Sequence, residues 1–178
     1  MRSDWVFEEE LQHVLAALMP SNRLACEISM ATGLRISDVL ALTREQAVKG
    51  RFSLHEKKTG KVRRVRLPLD LQRRALLMSG NIYVFEHRFS GKKHRTRQAV
   101  YKDLRRAARL FRVKPHVSPH SLRKVWAVEQ YHKDGDLKRV QALLNHDSEA
   151  VTVLYAMADQ ITARRMGFNL NDGKSVEN

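Results

Sequence analysis

The sequence predicts a mainly α-helical protein with a small antiparallel β-hairpin or sheet, which is an α+β fold. Apolar residues recur at helical spacing through most of the 178 residues. One short basic segment instead alternates between apolar and polar residues, as strands do. No linker or low-complexity stretch divides the chain, and its length fits one domain with a sizeable core. We therefore expect a single domain over residues 1–178, with a core at about 8–166 and a polar C-terminal tail at 167–178.

The N-terminal part of the chain has the spacing of three helices. Residues 8–18 place leucines and a valine on one face. Residues 20–22, Pro-Ser-Asn, end this helix and can cap a second helix over 23–32, which Gly33 ends. A short third helix is expected over 36–42.

The pattern then changes to a basic β-hairpin. Residues 51–55 and 61–67 alternate in part, and Lys58-Thr59-Gly60 lies between them. Helical spacing returns over 69–78. Residues 82–85, Ile-Tyr-Val-Phe, are typical of a short apolar strand or an extended segment.

The rest of the chain is predicted to be helical after one basic loop. The loop is expected over 88–97, and an amphipathic helix follows over 98–111. Ser118 or Ser121 can cap the next helix. The remaining helices are expected from there to about Tyr131, over 137–144, and from Asp147 through Tyr155.

Positive charge dominates the composition. The chain has 33 Lys and Arg against 19 Asp and Glu, a formal charge of +14. Two segments concentrate it: 49–66 has eight cations with Glu56 the sole acid, and 88–114 has eleven with Asp103 the sole acid. Such an excess favours a polyanionic partner, and we expect most of these side chains to contact its negatively charged groups.

Other features of the composition exclude several classes of protein. Cys26 is the only cysteine, so no disulfide can form within the chain, and a reducing compartment is expected. No apolar run approaches the roughly 20 residues that span a bilayer, so no membrane partner is expected. The sequence lacks the acidic clusters and Cys/His spacings of metal sites, so we expect no metal and no cofactor. The predicted location is the cytoplasm of a bacterial or phage-infected cell.

Six dispersed polar residues carry the candidate chemistry. Arginine forks bind the non-bridging oxygens of a phosphodiester and stay charged. A lysine or histidine can protonate a leaving 5′ oxygen, and a tyrosine can attack the phosphorus. Taken singly, each has an ordinary structural explanation, but their joint order and spacing favour breakage and rejoining of DNA strands. They are Arg35, Lys58, His120, Arg123, His146 and Tyr155.

This order resembles the tyrosine recombinase (phage integrase) family over nearly the whole chain. The family has an arginine in a Thr-Gly-Leu-Arg frame, a hairpin lysine, a His-x-x-Arg motif, and a histidine with the nucleophilic tyrosine nine residues later. The matching segments here are Thr32-Gly33-Leu34-Arg35, Lys58-Thr59-Gly60, His120-Ser121-Leu122-Arg123, and His146 followed by Tyr155 nine residues on.

The resemblance implies a role for each of these residues. Tyr155 attacks and becomes bonded to the 3′ phosphate, while Arg35 and Arg123 bind the scissile phosphate. Lys58 protonates the leaving 5′ oxygen. The remaining implied roles are proton transfer for His120, stabilisation of the transition state for His146, and support of the arginine region for Asp38.

The resemblance also implies partners, and the chain departs from the family at some positions. Asn145 stands where a glycine is common, Lys124 where a histidine often follows the arginine, and Asp38 where glutamate is commoner. Family members usually carry a separate N-terminal core-binding domain, and we expect none here. The expected assembly is a homo-tetramer on two DNA sites, aided by accessory DNA-bending proteins, with the tail at 167–178 a candidate for packing on a neighbouring protomer.

Three other functions remain open from the sequence. A type IB topoisomerase uses the same chemistry within one duplex. A regulator or an inactive catalytic-domain fragment would bind DNA without cleaving it. An RNA-binding domain has less support, because the sequence lacks an aromatic-rich binding strand and a glycine-rich loop. For a recombinase, the outcome can be integration, excision, inversion or resolution.

We expect the affinity for duplex DNA to fall steeply with salt, because cations that neutralise phosphates release counterions. About six phosphate contacts would lower the binding constant roughly 1,000-fold between about 50 and 200 mM salt. Fluorescence anisotropy titrations at several salt concentrations measure the slope. A slope near zero would contradict the assignment of the basic segments to phosphate contacts.

Overall fold

The structure is a computed structural model that describes residues 8–56, 60–113, 116–136 and 140. The chain divides into two compact units, Met1–Trp126 and Ala127–Asn178. This division falls within one helix, and the single-domain organisation of residues 1–178 stays a prediction. No helix in the described part of the chain is both long enough and apolar enough to cross a membrane.

The described elements are mainly helical, which confirms the predicted fold class. Two antiparallel two-stranded sheets accompany the helices. The helices are α1 Glu8–Ala16, α2 Pro20–Thr32, α3 Ile36–Leu40, α4 Arg44–Lys49, α5 Leu69–Met78, α6 Arg97–Leu110 and α7 Pro119–Asp134. The strands are β1 Arg51–His55, β2 Val62–Arg66, β3 Glu86–His87 and β4 Ser90–His94.

The core of the first unit is built from the apolar faces that the helical spacing predicts. Helix α1 contributes Leu11 and Leu15, and α2 contributes Leu24 and Ile28, all nearly inaccessible to solvent. Leu104 of α6 joins the same cluster. Burial of such side chains stabilises the fold by about 2 kcal/mol each before the entropy cost is subtracted.

The β1–β2 hairpin forms where the alternating pattern predicts it. Its register pairs Phe52 with Val65 and Leu54 with Arg63, so these four side chains share one face of the sheet. Leu54 and Val65 are buried on that face. The register therefore directs Arg63 towards the core and leaves its strand neighbours Arg64 and Arg66 exposed.

The N-terminus of α2 differs from the sequence prediction. The helix begins at Pro20 rather than near residue 23, and Asn22 lies inside it, buried. Its capping group comes from α6: Asp103 accepts hydrogen bonds from the Met19 backbone N–H at 2.9 Å and from Asn22 Nδ2 at 2.7 Å. The predicted local cap was wrong because a carboxylate distant in sequence supplies the acceptor.

No strand forms over 82–85, where the sequence predicts a strand or an extended segment, and the predicted basic loop at 88–97 is wrong. Tyr83 forms only an isolated bridge with Thr43, while Val84 and Phe85 are buried in the following turn. Strand β4 lies within the segment predicted as a loop, and its partner β3 lies directly before that segment. The sequence pattern did not predict this hairpin, because the residues of β4 are mostly exposed and polar and do not alternate with apolar residues.

Gly33 is the residue at which the backbone geometry is most constrained. It ends α2 in the left-handed region with φ +67°, and a Cβ there would lie 2.6 Å from the Trp126 ring. Glycine is thus required twice, once for the backbone angle and once for the close approach of the indole. This contact lies directly before Leu34 and Arg35.

We expect Gly33→Ala to lower the free energy of unfolding by about 2 kcal/mol or more, because backbone strain and a clash with Trp126 add together. Gly60→Ala is the matched control: φ is again +67°, but among the described residues a Cβ there meets no atom within 4 Å. We expect this control to cost about 1 kcal/mol. Urea unfolding measures both, and equal losses would contradict the close packing of Gly33 on the indole.

Candidate active site

Arg35 emerges from a short joint between α2 and α3 that local hydrogen bonds hold in place. The Ser29 hydroxyl donates to the Leu34 carbonyl at 2.7 Å, and the Leu34 N–H donates to the Thr32 hydroxyl at 3.3 Å. Arg35 itself is the N-cap of α3 in an extended conformation. The Thr-Gly-Leu-Arg frame therefore aims the arginine side chain from a well-ordered turn.

The guanidinium of Arg35 is held by a buried carboxylate. Arg35 Nη1 donates to Glu56 Oε2 at 2.5 Å, and the Glu56 side chain is only 1% exposed. Glu56 Oε1 lies 3.5 Å from Arg63 Nη1. Two guanidinium groups thus share one carboxylate, which leaves the cluster of three charges positive.

Arg63 ties this cluster to two other parts of the first unit. Its Nη2 donates to the Thr32 carbonyl at 2.7 Å, and its Nη1 donates to the Gly33 carbonyl at 3.3 Å. Its guanidinium carbon lies 5.3 Å from the centre of the Trp126 ring, a cation–π contact. Arg63 therefore bridges the end of α2, the hairpin and the helix that carries Trp126.

Burial lowers the pKa of the Arg63 guanidinium below its ordinary value. The carboxylates of Glu56 and Asp38 oppose this effect, and the positive charge of Arg35 adds to it. Because the pKa of an arginine begins so high, Arg63 remains charged at neutral pH.

The N-terminus of α7 presents the His-x-x-Arg motif. The Ser118 hydroxyl accepts from the His120 backbone N–H at 3.3 Å, and the Ser121 hydroxyl accepts from the Ser118 N–H at 3.3 Å. Of the two predicted caps, Ser118 is thus the N-cap, and Ser121 supports it from three residues on. His120 is exposed, whereas Arg123, one turn further along, is 6% exposed.

The structure connects the Thr-Gly-Leu-Arg frame to the helix that carries the His-x-x-Arg motif. Trp126, three residues after Arg123 on α7, packs against Gly33 and under Arg63, next to the joint that carries Arg35. Lys58, His146 and Tyr155 lie outside the described residues. Their roles, and those of Arg35, His120 and Arg123, stay predictions.

Comparison with known proteins decides the family. The model of the phage integrase family matches residues 4–161. The chain belongs to this family. The match confirms the resemblance inferred from the motifs.

Curated relatives in the family are distant in sequence. A tyrosine recombinase of Thermosipho africanus is 30% identical over 168 residues, which cover 88% of this chain and 58% of the relative. A probable integrase/recombinase of Bacillus subtilis is 28% identical over 165 residues, 88% of this chain and 90% of the relative. The chain thus spans little more than half of the Thermosipho relative.

Solved structures show the same fold. The XerH site-specific recombinase bound to its palindromic substrate aligns with a TM-score of 0.67 at 22% identity, over 92% of this chain and 52% of that one. The catalytic domain of the bacteriophage HP1 integrase aligns with a TM-score of 0.62 at 20% identity, over 98% of this chain and all of that one. The described fold is that of a family catalytic domain.

Two residues of the site were missed by the sequence reasoning. Arg63 was counted with the cations expected to face DNA, but its guanidinium points inward onto Glu56 and Trp126. The sequence marks Glu56 only as the sole acid among the eight cations of 49–66. A single acid in such a segment is the signal that could have indicated a buried ion pair. Asp38, expected to support the arginine region, is buried and acts electrostatically on Arg63, while Glu56 makes the ion pair with Arg35.

Helix α6 carries a basic face next to a shallow groove. Arg106 also lines this groove and is exposed, but it makes contacts within the fold: it pairs with Asp103 at 2.7 Å and its Nη2 donates to the Ala17 carbonyl at 2.5 Å. Lys102 is exposed along the same groove. Both side chains reach solvent, and the structure gives an intramolecular ion pair to Arg106.

No group of three or more His, Cys, Asp or Glu side chains suited to a metal ion occurs within residues 8–56, 60–113 and 116–136.

Two further tyrosines of this part of the chain, Tyr83 and Tyr101, each contact a histidine. Tyr101 Oη lies 3.3 Å from His116 Nε2, and Tyr83 meets the ring of His94 edge-on.

We expect Lys102→Gln to weaken DNA binding and to reduce the slope of log affinity against log salt by about one, because one phosphate contact is lost. Its unfolding free energy should change by less than about 0.5 kcal/mol.

Arg106→Gln is the matched comparison on the same helix. It should destabilise the fold by about 1 kcal/mol, because Asp103 loses a charged partner but keeps its hydrogen bonds from Met19 and Asn22, and it should reduce the salt slope less than Lys102→Gln does. Anisotropy titrations and urea unfolding measure both variants. Reversed outcomes would contradict the assignment of Arg106 to an intramolecular ion pair.

Proposed function

We propose that this chain is the catalytic domain of a site-specific DNA recombinase that cleaves and rejoins double-stranded DNA through a 3′-phosphotyrosine intermediate. The observation that carries the proposal is the family match over residues 4–161, which spans every candidate from Arg35 to Tyr155. The relatives named tyrosine recombinases agree with it. The positive charge of +14 suits a polyanionic substrate.

In the proposed reaction, the Tyr155 phenol oxygen forms a bond to the scissile phosphorus as the bond from phosphorus to the 5′ oxygen breaks. His120 assists removal of the phenol proton, and Lys58 donates a proton to the leaving 5′ oxygen. The phosphodiester energy is kept in the new ester, so a 5′ hydroxyl can later attack it and release the tyrosine. The proposed reaction requires no oxidant, no reductant and no cofactor.

The two arginines are proposed to bind the non-bridging oxygens of the scissile phosphate. Negative charge gathers there in the transition state, and donors already oriented towards it lower the barrier most. Arg35 suits this role because Glu56 and the ordered joint restrain its guanidinium. Arg123 and His146 complete the proposed set, with His146 stabilising the transition state.

The wider organisation follows the same proposal. Two duplexes are held by a homo-tetramer, with accessory DNA-bending proteins as further partners and the cytoplasm of a bacterial or phage-infected cell as the location. Recombination then leads to integration, excision, inversion or resolution. Exposed cations such as Lys102 provide phosphate contacts that position the duplex.

We expect Tyr155→Phe to abolish a covalent protein–DNA adduct and to preserve DNA binding, because only the nucleophilic oxygen is removed. The substrate is a pool of duplexes with random arms, each nicked near the centre, so that cleavage releases a short fragment and traps the adduct. The reaction is run without divalent metal and resolved on a denaturing gel. Sequencing of the trapped DNA also identifies the preferred site.

Tyr83→Phe and Tyr101→Phe are the matched controls and should retain the adduct. An adduct that survives Tyr155→Phe would overturn the assignment of the nucleophile. Binding without any adduct would favour a DNA-binding regulator or an inactive fragment. Relaxation of supercoiled plasmid without four-way junction products would favour a type IB topoisomerase.

A further inference from the structure

We propose that Glu56 and Arg63 are positioning residues that orient the guanidinium of Arg35 towards the scissile phosphate. The inference rests on the proposed function, because it assigns Arg35 to phosphate binding. It concerns two residues that act through Arg35 rather than on the DNA.

The contact between Glu56 and Arg35 selects one nitrogen of the guanidinium. Glu56 Oε2 accepts from Nη1 of Arg35 at 2.5 Å. A guanidinium is planar and presents further N–H donors in fixed directions. Holding one nitrogen therefore fixes the plane in which the other donors lie, as bidentate binding of a phosphate requires.

Burial makes this restraint strong. Glu56 is 1% exposed and the Arg35 side chain 11% exposed, so water screens their attraction little. Glu56 is itself held at the turn end of the hairpin, directly after β1, where its backbone N–H donates to the Lys61 carbonyl at 3.0 Å and its carbonyl accepts from the Gly60 N–H at 2.8 Å. The carboxylate is thus anchored two residues before Lys58.

Arg63 adds a second positive charge beside Glu56 and attaches the ion-pair cluster to the end of α2 and to α7. A lone carboxylate beside Arg35 would cancel its charge and weaken its attraction for a phosphate. With Arg63 at 3.5 Å from Glu56, the three groups carry a net positive charge. Arg63 is held in turn by the carbonyls of Thr32 and Gly33 and by the Trp126 ring.

Stability alone does not account for a charge cluster at this place. Burying a carboxylate and two guanidinium groups costs desolvation energy, and apolar side chains of similar size often stabilise a core as well or better. The cluster instead provides a defined direction for a charged donor. It also contacts Trp126, which lies on the same helix as Arg123.

The first test separates binding from chemistry. Glu56→Gln keeps the size and the acceptor oxygen but removes the charge, and we expect single-turnover adduct formation at saturating DNA to slow about 10- to 100-fold. DNA affinity should stay within about threefold, because Glu56 is not proposed to touch DNA. Glu45→Gln is the matched control. Glu45 is exposed on α4 and forms an ion pair with Lys49 at 2.7 Å. The variant should form the adduct at the wild-type rate.

The second test reads the orientation of Arg35 directly. In nitrogen-15 NMR spectra of the guanidinium groups, wild-type Arg35 should give separate Nη signals, because the ion pair restricts rotation about the Cζ–Nε bond. In Glu56→Gln these signals should broaden or merge. Arg35→Lys assigns them by their disappearance, and Glu45→Gln should leave them unchanged.

Arg63→Lys provides a second variant in case Glu56→Gln does not fold. It keeps the positive charge but loses the guanidinium that donates to the Thr32 and Gly33 carbonyls and lies over Trp126. Adduct formation should slow about 10-fold. Thermal denaturation shows whether each variant is folded. Loss of the native fold in both variants would assign the pair to the core alone and overturn the inference.

The two tests also separate the inference from the proposed function. Unchanged Arg35 signals in folded Glu56→Gln, or an unchanged cleavage rate, would overturn the positioning role. Independent effects of Glu56→Gln and Arg35→Lys on the rate would do the same, because residues that act as a unit are not additive. The wild type could form no adduct while Glu56→Gln still broadens or merges the Arg35 Nη signals. In that case the proposed function fails, and the restraint of Arg35 by Glu56 stands.

Discussion

One buried carboxylate between two arginines is the interaction on which the described site depends. Glu56 holds Arg35 at 2.5 Å and lies 3.5 Å from Arg63, with almost no exposure to solvent. An unpaired charge in such a place would be prohibitively costly, so each member requires the others. The hairpin, the end of α2 and the start of α3 are consequently held in one arrangement around it.

Close packing extends this arrangement to α7. Gly33 has the left-handed backbone angle that ends α2, and its missing side chain lets the Trp126 ring approach. The indole face is also the surface over which Arg63 lies. One glycine thus allows a helix end, a cation–π contact and the arginine joint to occupy neighbouring positions, and the His-x-x-Arg motif lies on the same helix as the indole.

The cations of this strongly basic chain serve two different purposes. Arg63 and Arg106 make ion pairs with the buried acids Glu56 and Asp103, the sole acids of the two basic segments. Asp103 additionally supplies the capping acceptor for α2. Exposed cations such as Lys102 remain on the surface, where they provide the field that attracts a polyanion. Net charge alone does not separate these groups, because the separation depends on which side of a strand or helix faces a carboxylate.

The sequence by itself determined the fold class, the family and most helices, including α5 over Leu69–Met78, because apolar periodicity records which face of an element is buried. The order and spacing of the motifs also predict Arg35, His120 and Arg123 as site residues, and they are the sole basis for predicting Lys58, His146 and Tyr155. Tertiary structure decided the partners: the Asp103 cap of α2, the inward course of Arg63, and the Glu56 pair with Arg35. Periodicity carries no information about which distant side chain fills a buried polar position, so these contacts could be read only from the folded chain.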